Sequence, residues 1–248
     1  MPPNYSHQYA QTNIQLYNQM LALSYSEADV DRVRQAYELL MQLFGSQYRP
    51  NGKPFVNHLI GTASILLTLG VKLTVVNAGL LHAAYSHGHF RHLVPYIPRL
   101  KRQRLRRVLG EEVESLIRAY QDLKWTPKTL IALTEQAHSM NSDTKNCVLI
   151  RLANELEDHL DAGLGYGAKS KRYYSDVDTI ASLRQLSTAL GCPEIVVQLE
   201  QCLEQQQAVD IPDVLIRSNT SSFQIPARPG TLLNKWVKVQ MKKHGLRQ

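Results

Sequence analysis

Apolar residues recur every three or four positions along most of the chain, and this spacing is typical of amphipathic α-helices. It is clear in NIQLYNQMLAL and in EADVDRVRQAYELLMQLF, where Ser26 is the predicted N-cap. The apolar stretch FVNHLIGTASILLTLG predicts a buried helix that ends at Gly70. KLTVVNAGLLHAAY predicts the next helix, which runs into a histidine-rich loop. The first third of the chain is thus predicted to be a series of helices, interrupted by the turn-rich loop GSQYRPNGKP.

The helical pattern continues as far as residue 209 or so. EEVESLIRAYQDL carries acidic residues in its first turn, where the helix dipole favours them. Thr126 followed by Pro127 predicts the cap and the first turn of another helix. DTKNCVLIRLANELEDHLDAGL predicts a long amphipathic helix, and two further helices are predicted at roughly 174–190 and 193–207. Beyond Asp210 the pattern stops, and three prolines predict an extended segment.

These patterns predict an all-α fold, with one helical domain over residues 1–209 and an extended, basic C-terminal tail over residues 210–248. No run reaches the roughly 18 apolar residues of a membrane-spanning helix, and the polar N-terminus does not look like a signal peptide. The three cysteines form no CxxC pair, which argues against a zinc ribbon and a disulfide framework. This cysteine usage fits a reducing compartment, so we expect a cytoplasmic protein.

The net charge of +7 is concentrated in two short segments. Residues 99–107, RLKRQRLRR, carry six basic side chains, and residues 235–247 carry five. The rest of the chain holds 17 basic against 21 acidic residues. Such patches attract phosphates, nucleic acid or acidic lipids, but they are also found on solvated helix faces and loose tails.

The first basic segment also contains a predicted inward stripe of apolar residues, made of Leu100, Leu105, Val108 and Leu109. This stripe favours a solvated helix that packs on the domain. No aromatic residue lies between its arginines, and single-stranded nucleic acid is usually bound by stacking on such residues. Nucleic acid is therefore the less favoured partner.

The candidate chemistry lies in LLHAAYSHGHF, residues 80–90, which places His82, His87 and His89 within eight positions. This stretch is part of a resemblance to the hydrolase domain of RelA/SpoT-type proteins. The other parts are YELLMQLFGSQYRPNGKPFVNHLIGTASIL, the helix containing LGEEVESLIRAY and the motif LIRLANELEDHL. Those proteins belong to the HD superfamily of metal-dependent phosphohydrolases. The resemblance is strongest over residues 30–165, and it implies an HD-domain-like helical bundle.

The resemblance implies a metal site in which two of the four ligands are replaced. In that family a cation, usually manganese, is held by two histidines and two aspartates, and it activates a water molecule for hydrolysis. His58 and His82 stand at the histidine positions, whereas Ala83 and Asn154 stand where the aspartates are expected. Two histidines and a neutral amide offer no negative charge to a divalent cation. Ordinary pyrophosphohydrolase chemistry is therefore not expected.

Other positions of the family pattern are partly kept. The family's catalytic Glu-Asp pair corresponds to Ser86 and His87, and an upstream histidine corresponds to Phe44. Arg49, which the family pattern makes a phosphate contact, is retained.

Two interpretations of the pocket stay open. In one, a metal site with manganese, iron or zinc is rebuilt: Asp158, one helical turn beyond Asn154, replaces the lost carboxylate, and His87 and His89 are recruited from their loop. In the other, which the missing aspartates favour, there is no metal, and His58 and His82 bind a ligand, act as an acid–base pair, or are core imidazoles that the protein itself satisfies.

Three function classes follow from these alternatives. The first is a divergent enzyme in which His82, His87 and Tyr85 are catalytic. The second is an inactive module that still recognises a nucleotide through Arg49 and the basic segment Arg99–Arg107. Asn154 and Asp158 are further candidate ligand-binding residues. The third is an interaction protein that uses its basic tail. The sequence favours an HD-fold protein with an altered metal site and a small polar or phosphorylated ligand, and leaves its catalytic activity open.

Overall fold

The structure is a computed structural model that describes residues 9–90, 98–167 and 177–225. These residues form α-helices joined by short connections, together with one two-stranded antiparallel sheet. The all-α prediction is therefore confirmed. The helices are α1 (Asn13–Ala22), α2 (Glu27–Phe44), α3 (Phe55–Thr68), α4 (Leu73–Leu80), α5 (Ala84–His87), α6 (Pro98–Leu109), α7 (Glu111–Asp122), α8 (Pro127–Glu135), α9 (Ser142–His159), α10 (Val177–Ala189) and α11 (Pro193–Ala208).

The helix starts lie where the capping residues predict them. Ser26 accepts a hydrogen bond from the backbone N–H of Asp29 at the start of α2. Thr126 caps α8 in the same way and is followed by a proline in the first turn. Gly70, just beyond α3, has a φ of +64°, the left-handed conformation that glycine adopts after a helix end. These boundaries follow from local backbone chemistry, which is why the sequence alone predicts them.

The prediction of one continuous helix through KLTVVNAGLLHAAY is wrong. α4 ends at Leu80, and the short helix α5 begins at Ala84. Between them Leu81 and His82 donate their backbone N–H groups to the carbonyls of Ala78 and Gly79, three residues back. This tighter winding ends the α-helical ladder and places His82 in the connection.

The core centres on α3, whose residues are buried over most of its length and which packs against α4 and α9. Two glycines make these contacts close. A Cβ at Gly79 of α4 would lie 2.2 Å from Leu66 Cδ1, and a Cβ at Gly61 of α3 would lie 2.6 Å from Glu157 Cγ on α9. The absence of these side chains lets three helices meet around one point of the core.

Residues 210–225 leave the helical pattern, as predicted. They contain the 3₁₀ turn Asp213–Leu215 and strand β2 (Phe223–Gln224), which pairs with β1 (Gln47–Tyr48) in the loop before α3. The division into a domain over 1–209 and a tail over 210–248 stays a prediction. The basic residues of 235–247 lie outside the described residues. No helix in the described ranges is long and apolar enough to cross a membrane.

The predicted inward stripe of α6 is only partly confirmed. Leu105 is fully buried and Leu109 is half-buried, but Leu100 and Val108 are exposed. The reason is that two arginines of this helix point inward. Arg102 and Arg106 donate to one oxygen of the fully buried Glu114 on α7, over 3.0 and 2.7 Å.

The inward arginines complete a buried polar cluster. Tyr85 on α5 donates its hydroxyl to the other oxygen of Glu114, 2.5 Å away. Burial by itself would raise the pKa of Glu114, but the hydrogen bonds from Tyr85, Arg106 and Arg102 outweigh burial and lower it. Part of the basic segment therefore ties α5, α6 and α7 together.

We expect Glu114→Gln to lower the free energy of unfolding by about 1–3 kcal/mol near neutral pH, because two arginines lose a buried anion. The pKa of Glu114 is lower in the folded chain, so its stabilisation is complete above the ordinary glutamate pKa of about 4.3. It is lost as pH falls through the folded-state pKa. Urea unfolding at about pH 7 and about pH 3 measures this difference. A deficit that stays constant down to the lower pH would contradict the assignment.

Candidate functional site

His58 and His82, at the two positions where the resemblance predicts histidine ligands, lie side by side in the core. His58 is on α3 and is fully buried, and His82 follows α4 and is 5% exposed. Their ring centroids are 5.5 Å apart and the ring planes cross at 77°. Tyr120 of α7 covers the other side of His82, with ring centroids 5.0 Å apart. The structure thus brings together two residues that are 24 positions apart in the sequence.

Each imidazole is held by its Nδ1 atom. Nδ1 of His82 lies 2.8 Å from the carbonyl oxygen of Gly79, and Nδ1 of His58 contacts a carboxylate oxygen of Glu157. A carbonyl and a carboxylate accept hydrogen bonds, so both Nδ1 atoms carry the proton. In each ring Nε2 is therefore the hydrogen-bond acceptor.

Both rings are neutral at physiological pH. Burial lowers the pKa of His58 well below its ordinary value, and the charge of Arg49 adds to this effect. Burial also lowers the pKa of His82 to about 3, with His58 as the next cause. Nε2 of His58 is buried and has no hydrogen-bond partner among the described residues. A buried nitrogen without a partner is rare in native proteins, and it marks this point as a place where a ligand atom or a water molecule belongs.

Four charged side chains adjoin His58 on the Nδ1 side. Glu157 contacts Lys53 through one carboxylate oxygen and His58 through the other. Asp158 accepts from Arg49 over 2.5 Å and lies 3.5 Å from Nδ1 of His58. Burial raises the pKa of Glu157, and the charges of Lys53 and Arg49 oppose that rise. The two anions and two cations of this cluster balance one another.

Asn154 lies one turn before Asp158 on α9 and is 5% exposed. Its side chain is near enough to His58 to raise the pKa of that imidazole, although burial has the larger and opposite effect. It makes no hydrogen bond of ordinary geometry with Nε2 of His58. Asn154 therefore borders the histidine pair, as the resemblance implies.

Arg49, Asp158 and Asn154 all lie at the histidine pair, whereas the other predicted site residues do not. Tyr85 directs its hydroxyl at Glu114, in the cluster that joins α5 to α7. His87 is exposed, and its Nδ1 lies 2.8 Å from Oγ of Ser86. Its ring faces Phe55, with centroids 5.2 Å apart, so it adjoins the pocket without reaching the histidine pair.

Three residues of the site carry no strong signal in the sequence. Glu157 stands three positions after Asn154, which places it on the same face of a helix, and this spacing is the one clue to its role. Lys53 belongs to a loop, so periodicity gives no information about it. Tyr120 recurs with other tyrosines at helical spacing and looks like a packing residue.

The residues present do not fit the cation that the family resemblance implies. Ligand atoms of His58, Glu157 and Asp158 lie within 4.8 Å of one another, which is close enough for one ion. Both carboxylates, however, already hold the cations of Lys53 and Arg49. Asn154, which also adjoins His58, is a carboxamide and carries no negative charge. Manganese prefers carboxylate oxygens, and here neither face of His58 offers an unpaired one.

Comparison with known proteins relates a segment of the chain to RelA-type proteins. Over 58 residues it is 40% identical to the bifunctional (p)ppGpp synthase/hydrolase RelA of Mycobacterium tuberculosis and 38% identical to a probable GTP pyrophosphokinase of Mycobacterium leprae. The segment makes up 23% of this chain but only 7–8% of those relatives. The chain thus spans a small fraction of the curated relatives that it matches.

Two further similarities are found. Residues 39–124, less than half of the chain, match a family described as a domain of unknown function (DUF6817). Among solved structures, the chain is similar to a metazoan ortholog of SpoT that hydrolyses ppGpp. That similarity has a TM-score of 0.43 and 17% identity, and it covers 75% of this chain and 98% of the other.

Proposed function

We infer that this chain is a divergent HD-domain-like protein that binds a small polar or phosphorylated metabolite at the His58–His82 pair, without metal-dependent hydrolysis. One observation carries this proposal. Two buried, neutral imidazoles each commit Nδ1 to the protein, and Nε2 of His58 has no partner among the described residues. Acceptors held among buried side chains are complementary to hydroxyl or N–H groups of a ligand.

Arg49 extends this recognition to a phosphate group. Its guanidinium is held by Asp158 and lies over the ring of Phe55, 5.7 Å from the centroid. A guanidinium has five N–H donors, and the salt bridge with Asp158 does not use all of them. The relatives act on (p)ppGpp or GTP by name, so a guanine nucleotide is the first ligand to test here.

The electrostatics weigh against hydrolysis. The family mechanism needs two aspartates at the positions of Ala83 and Asn154, and the carboxylates that adjoin His58 are neutralised by lysine and arginine. A metal-free route through His82 is also unfavourable. A general base works best when its pKa is near the working pH, and the pKa of His82 is about 3.

We expect ppGpp to raise the melting temperature of the purified chain by about 5 °C at a concentration well above Kd. Arg49→Ala and His82→Ala should each abolish most of that shift. No pyrophosphate should be released during long incubation with manganese. Thermal unfolding and a pyrophosphate assay on the same samples make both measurements.

Arg184→Ala is the matched control, because it removes an exposed arginine paired with Glu200, away from the histidine pair. It should leave the ligand-induced shift intact. Binding without turnover would support the proposal, whereas manganese-dependent release of pyrophosphate would contradict it. No stabilisation by ppGpp, GTP or GMP would remove the phosphorylated ligand from the proposal.

A further inference from the structure

The segment of residues 211–225, which we call the strap, runs beside the loop before α3. That loop covers residues 45–54 and is called the Arg49 loop below. The two segments meet in the short antiparallel sheet, where Tyr48 pairs with Phe223. On its other edge Tyr48 forms a β-bridge with Pro54. The first strand of the Arg49 loop therefore lies between the end of that loop and the strap.

Side chains reinforce this pairing. The rings of Tyr48 and Phe223 are stacked, with centroids 5.4 Å apart and an angle of 14° between the planes. The guanidinium of Arg217 lies over the Phe223 ring, 5.8 Å from its centroid. Arg217 also lies against Gly52, so closely that a Cβ there would be 2.5 Å from Nε. Since Gly52 has a φ of +88°, both the turn and the arginine favour a residue without a side chain here.

Hydrogen bonds fix the strap on both sides of this contact. The backbone N–H of Arg217 donates to the carbonyl of Tyr166 over 3.0 Å, and that of Ile225 donates to the carbonyl of Ser46 over 3.0 Å. Nε2 of Gln224 also donates to Oγ of Ser46, 2.7 Å away. The strap thus connects the Arg49 loop to the 3₁₀ segment that follows α9.

The position of the Arg49 loop decides where two cations stand beside the histidine pair. Arg49 follows β1 directly in the chain, and its guanidinium pairs with Asp158. Lys53, at the other end of the turn, contacts Glu157. Within the turn the N–H of Arg49 donates to the carbonyl of Lys53, and the N–H of Gly52 donates to that of Arg49, each over 2.8 Å. A shift of β1 against the strap would therefore move Arg49.

The strap is held less firmly than the helical core. Phe223 is only half-buried, and four other apolar residues of the strap are exposed, namely Val214, Leu215, Ile216 and Ile225. Segments with few buried apolar contacts open locally at a free-energy cost below that of global unfolding. Opening of the strap therefore leaves the helices folded and removes one side of the support of the Arg49 loop.

We propose that the strap, through Phe223 and Arg217, holds the Arg49 loop in the conformation that binds the ligand of the histidine pair. This inference rests on the proposed function. When the strap opens, the loop is free to leave that conformation, and the apparent affinity falls with the fraction of chains in which the loop is in place. Phe223 and Arg217 are thus positioning residues, and ligand affinity depends on a segment outside the histidine pair.

Amide hydrogen exchange and a ppGpp titration of the full chain test this coupling. Phe223→Ala removes the stacked ring and changes no charge, so a loss of affinity cannot come from a missing cation. We expect the N–H groups of Arg49 and Gly52 to exchange about five-fold faster in this variant, while the amides of α3 keep their rates. The Kd for ppGpp should rise by about two- to three-fold, because only chains with the loop open lose binding.

Two further variants provide the controls. Phe223→Tyr keeps the stacked ring and should retain the exchange rates and the Kd of the unaltered chain. Val214→Ser changes a residue of the strap that is 88% exposed, and it should affect neither value.

The proposal is overturned if Phe223→Ala leaves the exchange of the Arg49 and Gly52 amides unchanged, or if it speeds that exchange without raising the Kd. It is also overturned if Val214→Ser has the same effects as Phe223→Ala. If the unaltered chain binds no ppGpp, the proposed function fails together with the effect on Kd. The exchange rates, which are measured without ligand, then still decide whether the strap holds the loop.

Discussion

Glu157→Ala is expected to lower the free energy of unfolding by about 3–5 kcal/mol, which is the largest loss that we expect from a single substitution. Glu157 is 1% exposed, and its two carboxylate oxygens contact Lys53 and His58. Without the carboxylate, a largely buried ammonium has no anion and Nδ1 of His58 has no acceptor. Chemical denaturation of the two chains at neutral pH measures the difference.

A second substitution distinguishes the effect of losing the negative charge from the effect of losing side-chain volume. Glu157→Gln keeps the shape and the acceptor for His58 but removes the negative charge. Adding Lys53→Met to Glu157→Gln should therefore recover part of the lost stability, because the unpaired cation is gone. If the double variant is as unstable as the sum of its parts, the Lys53–Glu157 pair is not the source of the effect.

Glu38→Ala provides the matched control for the loss of an ion pair. Glu38 pairs with Arg34 on the surface of α2, and its side chain is 58% exposed. An exposed pair at this spacing contributes little to the free energy of unfolding, since water screens both charges. If Glu157→Ala and Glu38→Ala lower the free energy of unfolding by similar amounts, the burial of Glu157 does not strengthen its contribution.

The parts of the fold that depend on local chemistry could be predicted from the sequence. Ser26 and Thr126 cap their helices through hydrogen bonds to residues three positions away, so a short stretch of sequence contains all the information. The break between α4 and α5 could not be predicted in this way. It depends on hydrogen bonds of Leu81 and His82 that replace the helical pattern without any proline or glycine at the break.

The site itself was predictable only where the family resemblance reaches it. His58, His82 and Asn154 meet as that resemblance implies. Glu157 reaches His58 because Gly61 lets α9 approach α3, and such a contact between distant segments leaves no periodic signal. Tyr85 was predicted to be catalytic together with His82, but its hydroxyl is directed at Glu114, 29 positions away. Periodicity identifies the face of a helix, but not the partner of each side chain.

The second large effect is expected from placing aspartates at the two positions where the resemblance to RelA/SpoT-type hydrolase domains predicts them. Ala83→Asp together with Asn154→Asp should give a chain that holds about one manganese ion, whereas the unaltered chain should hold no stoichiometric manganese, iron or zinc. The physical reason is charge. The Nε2 atoms of His58 and His82 would provide two neutral ligands, and two aspartates would add the anionic oxygens that a divalent cation needs. Elemental mass spectrometry of both purified chains measures the metal content.

The melting temperature gives an independent measurement of manganese binding by the double aspartate variant. Without metal, the double variant places two anions in the core next to neutral imidazoles, so it should melt below the unaltered chain. Manganese that binds only the folded state should then raise its melting temperature by about 5–10 °C at roughly a hundred times Kd, and a chelator should reverse the rise. The melting temperature of the unaltered chain should change with neither manganese nor the chelator.

Two further variants decide whether the histidine pair holds the metal. The first is Ala83→Asn in the chain that keeps Asn154. Its side chains have nearly the same volume as those of the double aspartate variant but add no charge, so it should bind no manganese. Adding His82→Ala to the double aspartate variant should remove the metal and its stabilising effect. If the folded double variant binds no manganese, the two Nε2 atoms do not converge on one point. The pocket would then be unsuited to an ion for geometric reasons, whatever its charge.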